Sequence, residues 1–451
     1  MNKTLRSLAA AALAVAGLLA VISLPAGAAA KLKPTTCYGL SPTTDKVVVK
    51  HVAPRKAGKR EIAGRCASGY STHRPDLQGT NNPGDTDLVV PGAVELQING
   101  SSFDAPLVGA TTSGSTAYSA GGKVTFSSYA AAGSGTGRTA ITANPPTVNI
   151  GFSDQPMTPT AGTLPTGVTE SNYAQIPYLL GGAVVGYNLG AGFNNNVKLT
   201  AAEIAAIYNG TITTWSNSQI VATNGGATST VGKALTNLGT NNESRNTIKV
   251  FYRSASSGTT YAFTDFLNKA GNSGITASGN VMEGTGNKWG ATNIGASANN
   301  AAMAQNIVNT LGAIGYVEYS YVLIPGNDAI QVAELQDKNG QWLEPTLANI
   351  SAAATAAGSS ITPDNFSIVD EAGNNVWPLA TYSWAIVAKS QPSEATGEAV
   401  VKYLDWETHY AQVADATGEG YVPLPATVQA YARAQLETVT YSGTVLLNQK
   451  S

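Results

Sequence analysis

The chain has 451 residues, of which 12% are charged and 48 are Gly; an average soluble protein carries about 25% charged residues, and a chain this long has room for two or three domains with their own cores. Its net charge of −2 hides an asymmetry: residues 31–80 hold 10 Lys/Arg against 3 Asp/Glu, whereas residues 81–451 hold 14 against 25. A body with that acidic excess lacks the basic face needed to displace counterions from a duplex, which argues against a nucleic-acid partner.

In chain order, Lys3 and Arg6 precede an apolar run from Leu8 to Leu24 and a small-residue stretch from Pro25 to Ala30. This pattern predicts a secretory signal peptide over 1–30 rather than a membrane anchor, because the run falls short of the roughly 20 residues of a span and has no flanking stop signal. The mature protein is expected outside the cytoplasmic membrane. Residues 31–92 form a basic extension with the run Arg55, Lys56, Lys59, Arg60, followed by a turn-rich linker from Gly79 to Asp87. Cys37 and Cys66, the two cysteines of the chain, both fall there. In an oxidising compartment they are expected to pair, closing a loop worth roughly 3–4 kcal/mol by chain entropy, with two free structural thiols as the alternative. Neither has a metal spacing and the imidazoles are limited to His51, His73 and His409, so no metal and no cofactor is expected.

From Val94 the pattern changes. Strand-like runs of period two (VELQI, KVTFSSY, TVNIGFSD) alternate with Gly/Ser loops, and TAAEIAAIYNG (200–210), SSGTTYAFTDFLNKA (256–270) and NAAMAQNIVNTLG (300–312) hold apolar residues at helical spacing. Strands interleaved with helices predict an α/β fold with parallel or mixed sheets, and no fixed-period repeat suggests a solenoid or propeller.

The candidate chemistry lies in four loops. AAAGSGTGRT (130–139) departs from a phosphate-cradling P-loop at Ala132 and Arg138, and its glycines do not match a dinucleotide fingerprint. What remains is a Gly-rich turn that can bring backbone N–H groups and the Ser134 hydroxyl to an anion. FYRSASSGTTYAF (251–263) sets Arg253, the side chain best shaped to grip an oxyanion with two parallel bonds, ahead of Ser257, Gly258, Thr259 and a helical pattern. GSSFDAP (100–106) is a third loop, and NIGFSDQPM (149–157) ends a strand at Ser153 and Asp154. Donor-rich loops beside one carboxylate suit binding of an oxyanion that still carries a proton better than they suit catalysis.

These loops, with GAIGYVEYSY (312–321) and VWPLATYSWAIV (376–387), occur in the order seen in the phosphate-binding proteins of the ABC-type phosphate-specific transport system, and the chain resembles that family from about Ile98 to Leu436. The resemblance implies an α/β two-lobe venus-flytrap structure, the type II periplasmic-binding-protein fold, with a ligand cleft between the lobes. Lobe I would span 93–180 plus 375–435, lobe II 181–374, and residues 436–451 would be a tail. It further implies a phosphate-binding set. Ser102 and Phe103, the latter through its backbone N–H, would come from the first loop and Ser134 from the second. Asp154 would be the acceptor carboxylate, and Arg253, Ser257, Gly258 and Thr259 the donors of the second lobe.

The implied partners are inorganic phosphate and the membrane subunits of an ABC permease, for a monomeric binding protein that is not an enzyme. A secreted or wall-associated phosphate scavenger or adhesive protein, held to anionic wall polymers by the basic extension, is the alternative. A phosphomonoesterase using Ser134 or Ser257 would lack a base, since no His lies in a matched motif and Asp154 is the sole carboxylate expected nearby. Three features depart from the family: Ala255 stands where an Asp usually partners the binding Arg, the stretch from 107 to 122 is rich in poor helix formers, and the basic extension has no counterpart.

Overall fold

A computed structural model describes residues 93–447 except 114–116, 120–121, 160–162, 272, 274–277, 279–288, 359–360, 410 and 413–415, together with the backbone of four upstream strands. Those strands form two antiparallel pairs, Thr35–Leu40 with Val47–Val52 and Arg55–Ala57 with Arg60–Ile62. The basic extension therefore contains local hairpins. The signal peptide and the Cys37–Cys66 bridge, which needs Cys66, lie outside the described residues.

The body is organised by one mixed sheet. Its labelled strands are β1 (Ile98–Gly100), β2 (Ile150–Ser153), β3 (Tyr173–Asn188), β4 (Lys249–Arg253), β5 (Ile294–Ser297), β6 (Ala313–Glu318) and β7 (Ala380–Ala388), in the spatial order β5-β4-β6-β3-β7-β2-β1. The outer pairs β1/β2, β4/β5 and β4/β6 are parallel, while β3 and β7 run antiparallel to their neighbours. Parallel pairs need crossovers, and helices supply them: α1 (Ala105–Thr112), α2 (Ser134–Thr142), α3 (Gly258–Lys269) and α4 (Asn300–Val308) each follow a strand end or its loop.

The 16-residue β3 is apolar along nearly its whole length and buried from Ala174 onward. A strand covered on both faces loses the alternation of a half-exposed one, so its sequence reads as a continuous apolar run. Its first half packs into a core with Ile98, Phe152, Ala385 and Tyr403, and its second half into a larger core with Ile204, Phe263, Ile307 and Trp377. One strand thus joins two hydrophobic centres.

Pro177 interrupts it. Proline has no N–H for the ladder, and the register with β7 shifts there: Ser383 lies opposite Leu179 and Trp384 opposite Pro177, leaving Tyr178 as the extra residue of a bulge. Bulges re-aim side chains, and here the affected pair, Tyr178 and Ser383, comes to lie beside the carboxyls described below. Four residues on, Gly181 admits the Phe103 ring. A Cβ there would stand 2.8 Å from the Phe103 ring and 2.9 Å from that of Tyr421, so the first donor loop seats directly against the shared strand.

The stretch after GSSFDAP does form a helix, but α1 is short and stops at Ser113 in extended conformation. The Gly/Ser/Thr-rich composition shortens the helix rather than preventing it. Within the segment 436–451, set apart in the sequence as a tail, Thr440–Tyr441 and Thr444–Val445 pair as a small hairpin, and Leu446 and Leu447 are buried.

The helix Ala201–Tyr208 is held by a capping box: the Thr200 hydroxyl accepts from the Glu203 N–H at 3.2 Å, and the Glu203 carboxylate accepts from the Thr200 N–H at 2.8 Å. Removing such a cap typically costs about 1 kcal/mol. Thr200→Ala should accordingly lower the urea midpoint by that equivalent with an unchanged m-value, and an unmoved midpoint would mean that the Thr223 hydroxyl, 2.6 Å from Glu203, compensates.

Candidate functional site

The predicted site residues converge although they are scattered from 102 to 259. Strand ends and helix starts bring them together: Ser102 and Phe103 follow β1, Ser134 opens α2, Asp154 follows β2, Arg253 ends β4, and Ser257 caps α3. All are buried, Asp154 and Ser134 completely.

Bonds run directly between these loops. The Gly258 N–H donates to Ser134 Oγ at 3.0 Å, and the Asp154 N–H donates to the same oxygen at 3.2 Å. Thr259 Oγ1 donates to Asp154 Oδ2 at 3.2 Å, and Ser383 Oγ donates to Oδ1 at 3.3 Å. Gly258 is required by closeness, because a Cβ on it would lie 2.5 Å from the Cβ of Asp154. Ser102 Oγ accepts the Asn300 N–H at 3.0 Å, and the Ser102 carbonyl accepts from Tyr321 at 2.7 Å. Two expected donors serve local roles in this geometry: the Phe103 N–H goes to Ser101 Oγ at 3.0 Å, and Ser257 Oγ accepts the Thr260 N–H at 3.2 Å as a helix cap.

Arg253 is the electrostatic centre. Its side chain is buried, Nη2 reaches the Ala298 carbonyl at 3.4 Å, and Nε and Nη1 have no partner among the described residues. Its backbone N–H donates to the Tyr316 hydroxyl. Burial pushes the guanidinium below its ordinary value, against the opposing pull of Tyr316 and Asp154. With Ala at 255, no adjacent carboxylate claims the fork. Two buried N–H donors left unpaired are costly, and they leave a charged group with free donors for an oxyanion. The starts of α2, α3 and α4 lie at the same place, adding the positive ends of three helix dipoles.

Several contributors were not identified as site residues from the sequence. Arg138 is buried and bridges the halves, its Nη1 donating to Ser153 Oγ at 2.8 Å and its Nη2 to Ser256 Oγ at 3.2 Å; its place as an Arg inside a Gly-rich turn was visible, its reach was not. Asn300, fully buried, donates from Nδ2 to Thr259 Oγ1 at 3.4 Å. The expectation of a single nearby carboxylate is corrected: Asp104 and Glu318 are fully buried and each acts electrostatically with Asp154. Asp104 stood in view within GSSFDAP, but nothing in that string says the side chain turns inward.

Burial raises the Asp154 carboxyl above its ordinary range, opposed by Ser101, Arg253, Thr259 and Ser383, all of which favour the ionised form. Among the described residues no group of His, Cys, Asp and Glu is arranged to hold a metal ion, and no helix is long and apolar enough to cross a membrane.

The model of the PBP superfamily domain matches residues 72–406. The phosphate-binding protein PstS of Pasteurella multocida is 30% identical over 319 residues, covering 70% of this chain and 83% of that protein. The chain belongs to the PstS family of phosphate-binding proteins within the PBP superfamily. Other PstS relatives agree: that of Haemophilus influenzae is 30% identical over 324 residues, covering 70% of this chain and 85% of that one, and that of Xylella fastidiosa is 27% identical over 372 residues, covering 82% and 90%.

Among solved structures, a high-affinity periplasmic phosphate-binding protein with phosphate bound aligns with a TM-score of 0.57 at 19% identity, covering 78% of this chain and 96% of that one. The phosphate-binding protein from Stenotrophomonas maltophilia aligns with a TM-score of 0.53 at 20% identity, with the same coverage. The architecture is the two-lobe type II periplasmic-binding-protein fold that the PstS resemblance implied. The two cores joined through β3 give that fold its physical basis here.

Proposed function

We propose that this chain binds inorganic phosphate outside the cytoplasmic membrane and delivers it to an ABC-type importer. The observation that carries this reading is Arg253: a buried guanidinium with two unpartnered N–H groups, set among hydroxyls and helix starts and acting on the Asp154 carboxylate. In this reading Ser102, Ser134, Ser257 and Thr259 supply hydroxyls, Arg253 supplies charge, Asp154 accepts the proton of hydrogen phosphate, and the backbone N–H groups of Phe103 and Gly258 exchange their bonds to Ser101 and Ser134 for bonds to the ligand.

Binding is hinge closure. The bonds of Gly258 to Ser134 and of Arg138 to Ser256 hold the loops of the two halves together, and a phosphate between them would exchange its water for fixed donors. The closed form is then the shape a permease recognises. The mature chain acts as a monomer, and its names among relatives, all binding proteins, support a role without chemistry.

Hydrolysis is disfavoured by the hydroxyls themselves. Ser134 Oγ takes two backbone N–H bonds and Ser257 Oγ caps a helix, and among the described residues no imidazole bonds to either to take a proton. The His409 ring instead bonds the Asp405 carbonyl at 2.9 Å on its own helix. Titration calorimetry should give one tight phosphate site per chain with no release of phosphate from a chromogenic monoester; turnover of the ester would replace binding by hydrolysis as the function. The basic hairpin Arg55–Ala57/Arg60–Ile62 favours one addition, retention on anionic wall polymers: the chain should stay on isolated cell walls at low salt and elute as salt is raised, and failure to be retained at low salt would remove this addition.

A further inference from the structure

Asp104 is used oddly. It is the N-cap residue of α1, where Asp ordinarily accepts the free N–H groups of the first turn, yet its side chain makes no capping bond. Instead it turns inward, is 0% exposed, and neither carboxyl oxygen has a hydrogen-bond partner among the described residues.

Its surroundings are carboxylates and hydroxyls. Asp154 approaches from the end of β2, Glu318 from the end of β6, Ser383 from β7 and Tyr178 from β3, while Tyr129, Tyr321 and Tyr421 also lie within its electrostatic reach. Neither Lys nor Arg is among the strongest influences on it. Arg253 instead acts on Asp154. Ser383 touches both acids, donating to Asp154 Oδ1 at 3.3 Å and lying against Asp104, and the bulge at Tyr178 is what aims it there. Two carboxyls therefore share one hydroxyl and one nearby cation, in a site meant to receive a further anion. The hydroxyls of Ser383 and Tyr178 are the groups that favour the ionised Asp104, and a fully buried carboxyl with two neutral hydroxyls and no cation of its own escapes the cost of its charge by taking a proton.

We propose that Asp104 is held as the neutral acid when the phosphate site is closed, and that capture of hydrogen phosphate takes up a proton onto this side chain. The inference rests on the phosphate reading of the site. Desolvation and then the charge of Asp154 push the Asp104 carboxyl well above its ordinary range, whereas Asp154 is raised against four stabilising groups. The pair splits into a neutral acid and a charged acceptor, the arrangement by which two coupled carboxyls take opposite roles. The linkage has a definite sign: a group ionised in the open form and neutral in the closed one makes affinity fall as pH rises, by about one decade per pH unit between its two ionisation values.

The test is titration of the full chain with inorganic phosphate in two buffers of different ionisation enthalpy, at a series of pH values. Within that series the protons taken up per phosphate bound by wild type should exceed those of Asp104→Asn by about one, and the variant should show a flatter pH dependence of affinity. Glu318→Gln should retain the uptake. No uptake by wild type, an equal uptake by Asp104→Asn, or a loss that follows Glu318→Gln alone would each overturn the assignment; the wild-type measurement decides even where a variant does not fold. Absence of any phosphate binding would overturn the functional reading itself, which is a separate result.

Discussion

Arg253→Ala should weaken phosphate binding by roughly 2–5 kcal/mol, the range for truncating one partner of a buried charge pair, which is on the order of thirtyfold to several thousandfold in Kd. The guanidinium is buried with Nε and Nη1 unclaimed, so its bonds to a ligand would be made without first breaking others. Losing it removes the main positive charge from a site that also contains Asp104, Asp154 and Glu318. Arg253→Lys should recover only part of the loss, because an ammonium restores the charge without the paired donors. Titration calorimetry at fixed ionic strength measures both, and an affinity unchanged in the Ala variant would take Arg253 out of the site.

Asp154→Asn should lower the ratio of phosphate to sulfate affinity by at least about tenfold, a change of about 1.4 kcal/mol. Sulfate at neutral pH has no proton to give, so an ionised Asp154 facing it is an unpaired, repelling acceptor, whereas hydrogen phosphate donates a charge-assisted bond to the same oxygen. Selectivity comes from what the site refuses. The pH dependence follows from the direction in which the carboxyl is displaced. Burial raises Asp154 above its ordinary value, so as pH falls through that raised value it becomes an acid, gains a proton to donate, and stops rejecting sulfate. The wild-type ratio should fall on acidification while that of Asp154→Asn stays flatter. Paired titrations with both anions measure the ratio, and a ratio that the substitution leaves intact would reduce Asp154 to a structural acceptor for Thr259 and Ser383.

Local signals in the chain were enough to place several elements. The helical spacing in 256–270 corresponds to α3 over Gly258–Lys269, and that in 300–312 to α4 over Asn300–Val308, because periodicity and caps such as Ser257 and Asn299 act within a single turn of chain. The ordered loops likewise identified the family, and with it the two-lobe fold, because each loop is a short string that can be matched without knowing what it packs against. What the chain alone left open depends on approach across long separations. Asp104 and Asp154 are fifty positions apart, and Ser383 lies far beyond both; only the pairing of β7 with β2 and β3, and the bulge forced beside Pro177, brings that hydroxyl between the two acids. The poor helix formers of 107–122 still give a helix over Ala105–Thr112, because burial of Leu107 and Val108 outweighs propensity there. Sequence by itself determined the kind of fold and the loops that converge, because those are written in residue type and short spacing. The tertiary structure alone decided how many carboxyls surround the site and which of them can keep its charge, because burial and the distance between charges belong to no segment of the chain taken singly.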